Sequence, residues 1–111
     1  GVAAAHLADL QAREAHLFDE YLKLQAALER AKNAMATART TLAQLRAQLN
    51  ALPQANPGEA NTLIGKIAVA ECANNDARAN VKGCRRAVEF NRKELEHVRS
   101  QIDAMEGALL A

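Results

Sequence analysis

Two cysteines and three histidines are the side chains of this 111-residue chain best suited to covalent or metal chemistry, and their spacing withholds it. Cys72 and Cys84 stand twelve residues apart, about 18 Å along a helix, far beyond the roughly 7 Å between α-carbons that a disulfide spans. Cys84 falls on an apolar stripe and reads as a small buried hydrophobe, whereas Cys72 faces outward as a surface thiol. Unpaired thiols suit a reducing cytoplasm. His6, His16 and His97 lack i, i+4 spacing with one another or with cysteine, so the zinc signatures are missing. The glycine-rich phosphate loop, the dinucleotide fingerprint, the serine elbow and the H-E-x-x-H motif are missing as well. The sequence therefore predicts a protein with no catalytic residues, no cofactor and no metal.

Chemistry of another kind comes from cations at heptad intervals: Lys32, Arg39 and Arg46 in the first half, Arg78, Arg85, Arg92 and Arg99 in the second. Such a row could follow a phosphate backbone or an acidic protein surface. Arg85, Arg92 and Arg99 each have a carboxylate four residues on, at Glu89, Glu96 and Asp103, which is the spacing of helix-stabilising pairs on a solvated face. The whole chain holds 14 Lys and Arg against 13 Asp and Glu, a net charge of +1. That balance, with no aromatic residues interleaved for base stacking, makes nucleic acid the alternative partner and protein the expected one.

Long helices must present these residues. Half the chain is hydrophobic but only 3% is aromatic, at Phe18, Tyr21 and Phe90. Twenty-six alanines and fourteen leucines supply most of the apolar count, a composition that favours helix and disfavours sheet. No apolar run reaches the roughly 20 residues of a membrane span, and no signal-peptide pattern is present. The chain starts at Gly1 without methionine, and its pattern runs almost to Ala111, as in a segment excised from a longer protein.

Apolar residues recur at alternating steps of three and four: Leu7, Leu10, Leu17, Tyr21, Leu24, Leu28, Ala31, Met35, Ala38, Leu42, Leu45, Leu49 and Leu52. Only Glu14 interrupts the run. The frame resumes at Ala60, Leu63, Ile67 and Ala70 and continues to Leu109, with Asn74 and Asn91 as its polar breaks. This is a heptad seam at positions a and d. Between the halves, Pro53 stops one helix, Asn56 is placed to cap the next, Pro57 suits its first position and Glu59 completes a capping box. The expected fold is all-α: one long antiparallel two-helix coiled-coil hairpin over residues 1–111, with helices at about 3–52 and 57–109, a turn at 53–56, and dimerisation into a four-helix bundle.

Folding about Asn56 pairs residues whose numbers sum to 112, and every seam position then meets a seam position. Leu17 meets Leu95, Leu10 meets Ile102, and small residues oppose large ones elsewhere, as Ala31 with Val81 and Leu42 with Ala70. Asn91 meets Tyr21, and a hydroxyl-to-amide bond would satisfy both. Glu14, facing Val98, is expected in solvent beside Arg13 or His16. Polar seam residues of this kind set register at some cost in stability.

The flank opposite the cations is small and uncharged near the middle. Ala27, Ala34, Val69, Ala73, Ala87 and Phe90 form the expected self-association surface, because one apolar stripe leaves a hairpin short of burial. A lesser streak holds Ala8, Ala15, Phe18 and Leu22. The sequence thus points to a non-catalytic protein-interaction or oligomerisation module, a homodimer, from a bacterial protein or assembly by its Ala and Arg bias. Alternatives are a nucleic-acid-binding hairpin and a stalk-like or effector segment of a secretion system. Antiparallel hairpins of this size recur in export-ATPase stalk proteins, seryl-tRNA synthetase arms and prefoldin subunits; that likeness is one of fold and carries no site.

Overall fold

A computed structural model describes residues 1–54 and 56–111; Ala55, inside the expected turn, lies outside the described residues. Two helices account for the fold: α1 spans Val2–Ala51 and α2 spans Pro57–Leu110. The chain is an all-α helical hairpin, with each helix boundary within one residue of the sequence expectation. The amide of Leu52 bonds the carbonyl of Leu49 at 3.2 Å, a tightened last turn that leaves Leu52 just outside α1. Pro53, which has no amide to offer, follows at once. No described residue has a left-handed backbone, so the reversal uses proline and an Asn56 amide bonded to the Pro53 carbonyl at 3.2 Å rather than a glycine cap.

α2 starts on Pro57, and the amide of Ala60 bonds the Asn56 carbonyl at 3.2 Å as the first helical hydrogen bond. Asn56 also uses its side chain, with Nδ2 donating to Glu59 Oε2 at 2.7 Å. The two residues meet as expected but not as a capping box: the contact is side chain to side chain, and the Asn56 amide bonds Pro53 rather than Glu59, while the Glu59 carboxylate still suits the positive end of the helix.

Packing falls into two compact units. The first comprises residues 1–28 and 84–111, centred on buried Leu10, Leu17, Leu95, Val98 and Ile102, with Leu7 and Met105 packed against them. Leu28 is buried in the same unit, while Leu24 and Val88 are half-buried. The second unit, residues 29–83, buries Ala31, Leu42, Leu63, Ala70 and Val81. Every expected seam residue is buried or half-buried except Leu109, which is 49% exposed. It lies in the last turn of α2, opposite the exposed first turns of α1, where the seam runs out.

The polar seam residues differ in detail from expectation. Asn91 is 6% exposed, and its Nδ2 donates to the Leu17 carbonyl at 3.3 Å. Tyr21 Oη instead accepts from Gln25 Nε2 at 2.8 Å, one turn along its own helix. The bond expected between Tyr21 and Asn91 is absent, and each side chain bonds elsewhere. The Oδ1 atoms of Asn91 and Asn74 are buried without a hydrogen bond.

Candidate interaction surface

The flanks follow from the heptad frame: residues one step past the seam gather on one side of each helix pair and residues one step before it on the other. In the unit of residues 29–83, the cationic flank carries Lys32, Arg39, Arg46 and Arg78. Arg46 bonds Glu71 across the hairpin at 3.2 Å, and Lys32 pairs with Glu29 at 3.2 Å. Arg39 and Arg78 are exposed and form no ion pair among the described residues. Arg46, Glu71 and Arg78 border an open groove of about 430 Å³ that also exposes the edge of Asn74.

The unit of the chain ends carries Arg85, Arg92 and Arg99. Arg92 grips two carboxylates, Glu89 at 2.7 Å and Glu96 at 2.9 Å. Glu89 first and Glu96 second hold the Arg92 guanidinium still more firmly charged than usual. Reciprocally, Arg92 draws the Glu89 carboxyl below its ordinary range. Of the three i, i+4 pairs expected here, Arg92 with Glu96 forms. Glu89 turns to Arg92 rather than Arg85, and Arg99 reaches across the hairpin to Glu14 at 3.0 Å. Glu14 sits in the seam and pairs with Arg99 rather than with its expected neighbours Arg13 and His16. Arg13 instead pairs with Glu94 at 3.6 Å.

Arg99 also stacks over the Phe18 ring, 6.0 Å from its centroid, and Phe18 lies 6.5 Å from Tyr21 with the rings 20° apart. Together they wall an open groove of about 490 Å³ with Arg92, Glu96 and Asp103. Four of the seven flank cations, Lys32, Arg46, Arg92 and Arg99, are thus committed to carboxylates of this chain.

The opposite flank is mixed rather than uncharged as expected: Val69, Ala73 and Phe90 are exposed on it, but so is Asp76, at the same frame position as Val69. In the turn-containing unit, Thr41, Leu45, Thr62, Gly65, Val69 and Ala73 line an open groove of about 690 Å³ with the Lys66 stem. Val69 is 72% exposed, Ala73 is exposed four residues on, and Ala34 of α1 is exposed as well. Gly65 widens the groove, since an added Cβ there would meet nothing within 4 Å. Sequence reasoning named Val69 and Ala73 but missed Leu45, Thr41 and Gly65. Leu45 had been assigned wholly to the seam, and Gly65 carries no side chain to signal a surface.

In the other unit Phe90, 67% exposed, stands beside Arg13, Lys93, Glu94 and His97 around a groove of about 470 Å³. Ala27 and Ala87, also expected at the surface, are half-buried and belong partly to the hairpin itself.

Neither flank supplies reaction chemistry. Cys72 is exposed and Cys84 half-buried, neither in a disulfide. His16 and His97 are both exposed, and among the described residues no three His, Cys, Asp or Glu side chains gather as a metal site. No described helix is long and apolar enough to cross a membrane. Comparison of the chain with protein-family models, with curated proteins and with solved structures finds no match.

Proposed function

We propose that this protein is a non-catalytic interaction module whose first partner is a second copy of itself. The observation that carries this reading is the uncovered apolar flank, with Val69 and Phe90 largely in water and an apolar groove around Val69. Burying a large apolar side chain is worth roughly 1.5–3 kcal/mol, so two such residues left exposed on one frame position are a standing incentive to associate.

The cationic flank is the weaker candidate, because most of its charge is already neutralised within the chain.

The test is to place charge on the apolar flank where it cannot disturb the hairpin. Ala34→Glu with Ala73→Glu alters two exposed positions at little cost in helix propensity. Light scattering at high micromolar concentration is expected to show the parent associated and the double variant monomeric, with equal helical circular dichroism. An associated double variant would mean that the contact lies elsewhere, and the Phe18 and Leu22 streak would be the surface to examine.

A further inference from the structure

Exposed residues follow one another along one stripe of α2 at alternating steps of three and four, from Glu59 to Gly83, the spacing of a helix face that another helix can cover. The whole stripe belongs to the unit of residues 29–83. Its centre carries Lys66, Val69, Ala73 and Asp76. Val69, 72% exposed, stands at the apolar groove that Leu45, Gly65 and Ala73 help to line. Lys66 and Asp76 form no ion pair among the described residues, and ten residues of helix, about 15 Å, keep them from each other.

Turned end for end at the height of Glu71, the stripe matches itself. Lys66 falls on Asp76, Val69 on Ala73, and Glu59 on Gly83, where an added Cβ would meet nothing within 4 Å. Cation meets acid, large meets small, and acid meets gap with Lys82 next to it in sequence. The unit holds seven cations against four carboxylates, so two copies would repel if that surplus faced the contact. It does not: Arg39, Arg46 and Arg78 belong to the cationic flank, whereas Glu59, Lys66, Asp76 and Lys82 balance.

We propose that two copies associate through this stripe, α2 against α2 and antiparallel, about a two-fold axis at the height of Glu71. This rests on the self-association reading above and adds the surface, the register and the orientation. Each Lys66 gains the carboxylate it lacks within its own chain, and each Val69 leaves water for the Ala73 edge of the other copy's groove. An isologous contact must be self-complementary, which singles out this register. A slip of one heptad in one direction sets Lys66 on Val69 and Glu59 on Asp76; in the other it sets Val69 on Asn80 and Asp76 on Ala73. A parallel pair opposes Lys66 to Lys66 and Asp76 to Asp76, a like-charge arrangement that costs affinity.

The contact is small. Glu59 and Gly83 are twenty-four residues apart, about 36 Å of helix. At a helix width of about 10 Å, the stripe covers on the order of 400 Å² per copy, the size of a weak interface whose occupancy follows concentration.

Engineered cysteines test orientation and register in a chain carrying Cys72→Ser and Cys84→Ala. Lys66→Cys and Asp76→Cys are made separately, one bearing a size tag, and oxidised alone and mixed at high micromolar concentration. The expected result is a covalent heterodimer in the mixture only, because like positions sit about 15 Å apart along the axis, beyond disulfide reach. Self-cross-linking of either variant would overturn the antiparallel register and leave self-association standing. A dimer by light scattering with no covalent species in any sample would overturn this surface. A monomer throughout would overturn both readings. In the unaltered background, Lys66→Asp is expected to weaken association about fivefold or more, and Lys66→Asp with Asp76→Lys to restore it; a single variant as tight as the parent, or a double variant as weak as the single, would remove this pair from the contact.

Discussion

Asn91 is where the seam conflicts with its own surroundings. It is buried, gives one bond to the Leu17 carbonyl and leaves Oδ1 with none. An unmet buried acceptor costs roughly 1–3 kcal/mol, so Asn91→Leu is expected to raise stability by about that amount in urea denaturation. The same change should loosen register, since polar seam residues confine a helix pair to one alignment. A destabilised variant would show that the single Asn91 bond outweighs the unmet one. Leu28 is the opposite case: apolar, 7% exposed and packed. Leu28→Ala should cost roughly 2–5 kcal/mol, and equal melting temperatures for variant and parent would contradict its placement. Both positions were legible from the heptad frame. The partners of Asn91, Tyr21 and Glu14 were not, because the frame fixes which residues are near each other but not which of several near donors a side chain chooses.

Each helix was legible almost to its last residue. Pro53 and Pro57 act through local backbone chemistry, which sequence displays directly, and Asn56 and Glu59 meet side chain to side chain three residues apart. Surface pairing was less so: Glu89 chose Arg92, at i+3, over Arg85, four residues back, because the guanidinium fork can take Glu89 and Glu96 together. That cluster gives α2 an acid-sensitive element. With the folded carboxyl of Glu89 held low by Arg92, the pair contributes stability above the unfolded value of about 4.3, and the contribution is lost as pH falls through the lower folded value. Glu89→Gln is therefore expected to melt below the parent at pH 7 and to match it in strong acid. A gap that persists at low pH would show that Glu89 acts by packing rather than by charge.

Within the whole molecule, the hairpin was legible because both halves keep one frame and a short turn joins them. The apolar flank was half legible. Alanines and Phe90 drew attention by what they carry, while the groove beside Val69 depends on Gly65 and on the outer edge of Leu45, features that appear only when the two helices lie together. Partner identity is harder still, since heptads record that a helix is covered and not by whom. Association through the apolar flank is the central claim, and sedimentation equilibrium on the unaltered chain across a range of micromolar concentrations tests it most directly. A mass rising with concentration toward twice the 11.9 kDa of one chain is the expected result; a mass that stays at one chain throughout would contradict it.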